Sequence, residues 1–445
     1  MSKLGMWKRA AEVAEQTPED RNRYVDLLRA LSISAVVFGH WLIAAPYWDS
    51  GTAKMEHLLD IQAWSRWLTW SFQVMPVFFF VGGYSNGVSW DGAQRKNQQY
   101  SQWLEARMRR LLGPVVPLVL LWSVLGIVGF VFLVPAEMIR IGSQVALVPV
   151  WFLAIYFVIV MLVPISRAAW HRYRFWSAIV PMLLAVIGDW IYFNTEHQWL
   201  AWFNYLFVWS AVHQLGYAWQ QGSLSGIAKG NAFKLFAMGC FGLMVLIALT
   251  VFGPYPISLV GVPSQTLSNT TPPKITLLAL GLAQIGFLLS IEGPMRRWLS
   301  RGKVWISTVL VNGLIMPIFL WHSTVMMLLI GASFWLLPNV LLAVPGSNDW
   351  WLLRPVWILV FMIFMLLLLP LFLALEKAVT GKERQNSSLL RIFIAGAFMC
   401  GGLALLAGNG VTGNGPVGLN WLACSLPIIG GFVALFRTPK LFSKP

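Results

Sequence analysis

Charge is scarce in this chain. Only 11% of its 445 residues are charged, and just 17 are acidic, where a soluble domain carries about 25% charge. So few charges cannot clothe a 50.0 kDa soluble protein, which excludes a soluble enzyme. Together with 58% hydrophobic residues and a mean hydropathy of +0.67, it also excludes a disordered or fibrous chain. Cysteine is scarce too. Cys240, Cys400 and Cys424 sit in apolar runs without metal-type spacing, so neither a disulfide framework nor a metal site is expected. The acidic deficit leaves a net charge of +15. That value could suggest nucleic acid, but basic loops along the inner face of a membrane explain it together with the hydrophobicity. The expected partner is therefore the lipid bilayer and not nucleic acid. No signal peptide is visible, because the first 26 residues are polar and the first apolar run lacks a cleavage site.

What the chain does have is long apolar runs. A span needs about 20 mostly apolar residues. Twelve segments qualify, at 27–48, 67–90, 111–134, 147–165, 177–193, 201–219, 235–253, 275–291, 307–337, 355–375, 392–408 and 420–436. With the N-terminus inside, 26 of the 32 Lys and Arg fall in inner segments and five in outer loops, while Arg29 lies within the first span. This asymmetry predicts two cytoplasmic termini and an even number of spans. The fold class expected is all-α, a polytopic transmembrane helical bundle. Many of the 25 Trp lie at span ends, as interfacial anchors do. The outer stretch 254–273, rich in Pro, Ser and Thr, reads as a loop over an external entrance or as a linker. It contains a glycosylation sequon, Asn269-Thr270-Thr271, of a kind that arises easily by chance.

Ionisable groups inside a membrane are costly and are functional candidates by default. Here they are Arg29 and His40 in the first span with Asp26 at its inner end, Asp189 in the fifth, His213 in the sixth and His322 in the ninth. Arg29 and His40 are eleven residues apart, which at 100° per residue leaves them about 20° from alignment, with a rise of roughly 16 Å. They therefore share one helix face, with the cation towards the inside and the imidazole deeper. An anionic group could dock at Arg29, and a neutral His40 could take a proton from a hydroxyl near neutral pH. The plainer readings are a snorkelling Arg29 paired with Asp26 and a His40 hydrogen-bonded to a neighbouring helix. Asp189 and His213 read as structural, with no partner visible for His213. His57, His171 and His197 read as solvated loop residues.

Three further stretches stand out. Pro76–Asn86 reads Pro-Val-Phe-Phe-Phe-Val-Gly-Gly-Tyr-Ser-Asn. Its adjacent Gly82 and Gly83 allow either close helix contact or a local break beside Ser85 and Asn86. Arg107-Met108-Arg109-Arg110-Leu111-Leu112-Gly113-Pro114 puts basic residues at the inner membrane face, where they could bind phosphates or simply mark topology. Leu320-Trp321-His322 sits in the long ninth segment.

Taken together, these features resemble the acyltransferase-3 family of integral membrane acyltransferases. The first match is the Arg, ten residues, His arrangement of Arg29 and His40 within 23–40. Pro76–Asn86 resembles the family's FF-x-x-[SG]-G-[YF] signature. Arg107-x-x-Arg110-Leu-Leu-x-Pro114 is similar to its basic segment. Trp151-Phe152-Leu153 with Tyr156 resembles its W-F-L-x-x-Y element, and Leu320-Trp321-His322 its leucine-aromatic-histidine site. The motifs look like those of actinobacterial members. The resemblance divides the chain into a cytoplasmic tail (1–26), a ten-span acyltransferase domain (27–376) and an extension with about two further helices (377–445). No fused hydrolase-like domain follows.

The resemblance implies transfer of an acyl group from cytoplasmic acyl-CoA, acetyl-CoA by family habit, to a hydroxyl of an extracytoplasmic carbohydrate or glycolipid of the cell envelope. It implies His40 as general base or acyl relay and Arg29 as orienter of the donor or stabiliser of an oxyanion. Arg107 and Arg110 would face the CoA phosphates, Gly82, Gly83, Ser85 and Asn86 would line the donor channel, and His322 would be a further catalytic candidate. Two other classes compete. A transporter or flippase would use the intramembrane His and Asp as a proton relay, but no repeated halves with paired broken segments are visible. A scaffold for envelope-building proteins has no need of a same-face Arg and His.

Overall fold

The computed structural model describes residues 3–435 except 19, 229 and 381–386. The topology markers Lys229, Lys382, Arg384, Arg437, Lys440 and Lys444, and the end of the twelfth segment at Phe436, lie outside the described residues. The fold is a polytopic helical bundle. Each of the twelve apolar segments falls at least in part on a helix. Eight helices are long and apolar enough to cross a membrane, and a ninth span is made by Ile275–Ser290 with Glu292–Leu299, bent by 56°. Nine rather than twelve segments thus meet that measure among the described residues. The others lie on Met75–Arg95, which carries Ser85, Asn86, Asp91 and Gln94, on the 17-residue Asn204–Gln220 and on the short Trp421–Leu435.

Two boundaries differ from expectation for clear local reasons. The first helix runs Arg23–Ile43, opened by the Asn22 side chain accepting from the Tyr24 N–H. It does not continue to Trp48. The chain instead turns into an antiparallel hairpin, Ala44–Asp49 with Thr52–His57. Its two-residue turn, Ser50-Gly51, has φ of 50° and 84°, the doubly positive geometry that matches strand twist. The second expected span begins late. Helix Met75–Arg95 starts where Pro76 occupies its first turn, a position that needs no N–H partner. It then runs unbroken through Gly82-Gly83, so of the two readings for that pair, close contact or a break, the break is not the one formed.

The chain forms two compact units. The first comprises 1–90, 162–316 and 339–354, and the second 91–161, 317–338 and 355–445. In the first unit, glycines set helix contacts at backbone distance. A Cβ on Gly239 would meet the Phe287 ring at 2.7 Å, and one on Gly286 would meet the Gly239 nitrogen at 2.4 Å. Helices Asn231–Ile247 and Ile275–Ser290 therefore touch along small residues, as membrane helices do where no hydrophobic effect drives them together.

In the second unit, Leu389–Asn409 and Trp421–Leu435 pack on Val115–Val131 and Ala136–Met161. Gly396 faces the Phe157 ring, Gly402 faces Pro427, and Gly431 faces Val116. The start of the first and the end of the second are tied to helix Tyr100–Leu111. Glu105 pairs with Arg109 at 3.2 Å and accepts the Ser387 N–H, Arg109 donates to the Ala434 carbonyl, and Arg391 donates to that of Val433 at 2.7 Å.

Candidate functional site

The first unit carries six of the sequence-predicted site residues, Arg29, His40, Gly82, Gly83, Ser85 and Asn86, on two helices. Arg29 lies one turn into Arg23–Ile43, and its guanidinium bonds Asp26 at 3.3 Å and the Ser85 hydroxyl at 2.9 Å. The Asp26 pairing foreseen as the plain reading is therefore present, but it is not the whole arrangement. Asp26 also accepts from Arg21 at 2.7 and 3.0 Å. One carboxylate is thus shared by two guanidiniums, and 27% of the Arg29 side chain remains accessible. A cation held in place by a hydroxyl and still accessible is suited to an anionic ligand. His40 lies eleven residues on in the same unbroken helix, half-buried.

Next to Ser85, the Asn86 amide nitrogen lies 3.1 Å from His213 Nε2, with both residues about 1% exposed. The Asn86 amide thus holds one ring nitrogen of His213. His213 therefore has a partner that its own sequence neighbours do not reveal. The two helices can approach this closely because Gly83 faces Gly216, and a Cβ on Gly83 would lie 2.0 Å from the His213 carbonyl oxygen. Flanking rings complete the contact, with Phe79 stacked on Trp209 at 4.6 Å and Phe80 on Trp219 at 5.1 Å. Gly82 is buried. Of the glycine pair, Gly83 thus serves close helix packing.

The C-terminal end of the first helix differs from expectation. His57 is not a solvated loop residue. It pairs with Ala44 at the base of the hairpin, and its Nδ1 is shielded from solvent with no hydrogen-bond partner. Burial pushes its imidazole below the ordinary value, against the pull of the Asp60 carboxylate. Arg354 bonds the carbonyls of Leu42 and Ala44 and lies 3.8 Å from the Trp350 ring centre. Neither residue was singled out by its sequence. Their only signal was position, next to a helix end that the apolar pattern had extended too far.

Asp189 takes hydrogen bonds from Asn204, Tyr255 and the Ile275 N–H, each at 2.9 Å. It thereby holds both ends of the loop 254–273, a structural role as expected. Asn269 is fully buried. Its amide donates to the Pro256 and Ser258 carbonyls, and its oxygen accepts from Thr276. The sequon amide is therefore spent on folding the loop.

The remaining candidates belong to the second unit. His322 is fully buried, with Nδ1 2.7 Å from the Phe319 carbonyl and Nε2 3.1 Å from the Ser323 hydroxyl. Arg107 lies over the Trp103 ring at 5.4 Å, and Arg110 is exposed. Arg109, between them, is committed to Glu105. No group of three His, Cys, Asp or Glu that could hold a metal occurs among the described residues.

Fold and intramembrane residues together define a polytopic helical membrane protein with a half-buried Arg and His on one helix. Residues 22–375 match the family model described as an acyltransferase domain. The chain belongs to the acyltransferase-3 family and is a membrane acyltransferase. No curated protein and no solved structure matches it.

Proposed function

We propose that the protein transfers an acyl group, acetyl in the first instance, from cytoplasmic acyl-CoA to a hydroxyl of an extracytoplasmic cell-envelope carbohydrate or glycolipid. It acts in the plasma membrane with both termini cytoplasmic. The observation that carries this is Arg29 and His40 on one unbroken helix, with Arg29 held by Ser85 and Asp26 and still accessible. His40 takes the proton of the acceptor hydroxyl as its oxygen attacks the thioester carbonyl. The new ester bond forms, the C–S bond breaks, and the proton passes to the leaving thiolate. Arg29 orients the donor and stabilises negative charge developing on the carbonyl oxygen. Arg107 and Arg110, which flank the Arg109–Glu105 pair, meet the CoA phosphates. Ser85 lines the donor path through its bond to Arg29, with Gly82 beside it. Gly83 and Asn86 support that path through their contact with the His213 helix. His322 ranks behind His40, since both of its ring nitrogens already have partners.

The test is His40→Ala and Arg29→Ala in purified protein reconstituted in nanodiscs, with radiolabelled acetyl-CoA and envelope glycolipid extract. Each variant is expected to unfold like the native protein and to lose transfer. Normal transfer by His40→Ala would sink the assignment.

A further inference from the structure

Of the two residues that carry the proposed chemistry, Arg29 lies inside the helix Arg23–Ile43, whereas His40 lies in its last turn. The last carbonyls of a helix find no partner within it, and helix ends open most easily. A base placed there is subject to that motion, and a misplacement of about 1 Å lowers a rate about a hundredfold. The turn is nevertheless gripped on both sides of His40. Before it, the Phe72 ring lies 3.4 Å from where a Gly39 Cβ would be. The residues around Phe72 are tied down, Trp70 to the Ile257 carbonyl and Gln73 to that of Leu259. After it, the Ala44 N–H closes on the His40 carbonyl, and Ala44 is itself paired with His57 in the hairpin.

Arg354 completes the grip from 312 and 310 residues further along the chain. Its Nη2 donates to the Leu42 carbonyl at 3.4 Å and to the Ala44 carbonyl. The residue four on from Leu42 is Pro46, which has no N–H with which to meet that carbonyl. Arg354 is 4% exposed. Its other contact is the face of Trp350, and no Asp or Glu pairs with it among the described residues. A cation buried without a carboxylate is costly. The negative pole of the helix C-terminus and the Trp350 ring offset part of that cost. Capping two carbonyls does not itself call for a charge, since a neutral amide also donates. What the guanidinium fork adds is a fixed angle. The segment that carries it is fixed in turn. Trp350 packs on Ala45 and Leu58, and Gly346, at φ of 86°, brings the chain so close to Gln62 that a Cβ would lie 2.7 Å from its amide nitrogen.

We propose that Arg354 is a positioning residue for His40, fixing the last turn of the helix through the Leu42 and Ala44 carbonyls so that the imidazole keeps its angle to the acceptor hydroxyl. The proposal rests on the acyltransferase reading above, in which His40 is the base. Arg354 touches neither substrate in this role. It acts on turnover and not on donor binding, which Arg29 serves elsewhere on the same helix.

The test compares the native full chain with Arg354→Gln and Arg354→Lys in nanodiscs, using radiolabelled acetyl-CoA and envelope glycolipid extract. Nitrogen NMR of labelled histidine reports on His40, whose signals are assigned by their loss in His40→Ala. Lysine keeps a charged donor that can meet one of the two carbonyls. Turnover should therefore fall in the order native, Arg354→Lys, Arg354→Gln, with kcat of Arg354→Gln down about ten- to a hundredfold. The acetyl-CoA KM should stay native. The His40 signals should move while those of His322 stay in place. An arginine that only stabilises the fold would lower the denaturation midpoint and leave kcat per folded molecule and the His40 signals native. That result, or a loss confined to KM, overturns the proposal. If Arg354→Gln does not fold, Arg354→Lys decides on the same two readouts. His40 signals that move with Arg354 in a protein that transfers no acetyl group would uphold Arg354 as the support of His40 and count against the acyltransferase reading.

Discussion

Substituting Gly83 with alanine tests the geometry that holds the intramembrane polar groups together. The added Cβ would lie 2.0 Å from the His213 carbonyl oxygen and 3.1 Å from the Gly216 Cα. To restore ordinary contact near 3.5 Å, the helices Met75–Arg95 and Asn204–Gln220 must part by about 1.5 Å. The Asn86–His213 contact, at 3.1 Å, does not survive such a displacement. Overpacking costs about 1–3 kcal/mol, and leaving two buried polar groups without partners costs about 1–3 kcal/mol more, so a loss of about 2–6 kcal/mol is expected. Gly313→Ala and Gly331→Ala are the controls. A Cβ there meets nothing within 4 Å, and replacing a mid-helix glycine should be neutral or mildly stabilising. The assay is reversible unfolding in mixed micelles, with nitrogen NMR of labelled histidine as a second readout. If Gly83→Ala unfolds with the native midpoint and leaves the His213 signals unmoved, the close approach of these helices is wrong.

Three other outcomes are expected. Asp189→Ala removes the acceptor shared by Asn204, Tyr255 and the Ile275 amide, so limited proteolysis should cut within 254–273 far faster than in the native protein. Lys274 is fully buried, without a hydrogen-bond partner, and its ammonium is drawn down to about 8 by burial despite the opposing charge of Asp189. Because the unfolded chain binds that proton more tightly, the penalty is full below pH 8 and fades as pH rises to about 10.5. Lys274→Met should accordingly raise the melting temperature at pH 7 and do so progressively less towards pH 10.5. Gly402→Leu would drive a side chain into Pro427, 2.3 Å from where its Cβ would lie, and should destabilise the protein by at least ~1–3 kcal/mol, measured as a lowered denaturation midpoint.

Much of the fold was legible because a membrane demands long apolar runs, and these declare themselves. Each of the twelve falls at least in part on a helix. The helix end at Ile43 was not legible, because Ala44-Ala45-Pro46-Tyr47-Trp48 is apolar enough to pass for more helix. The turn that redirects it depends on Ser50-Gly51, which hydropathy does not weigh. In the site, Arg29 and His40 could be placed on one face because helical periodicity is a local property. Beyond Asp26, the partner of Arg29 is Ser85 and that of His213 is Asn86, both on the motif helix, 56 and 127 residues away in sequence, and no local pattern reports such pairings. Ser85 and Asn86 were noticed for the right reason, polar atoms beside glycines, but only the packed helices say what each one holds.

Ser85 and Asn86 are consecutive residues, pointing about 100° apart around one helix. One grips the first helix through Arg29 and the other the helix of His213. The segment between them is therefore geared to both neighbours. A few degrees of rotation cannot ease one contact without straining the other. A displacement that loosens the Ser85–Arg29 contact is therefore transmitted through one helix to the Asn86–His213 contact.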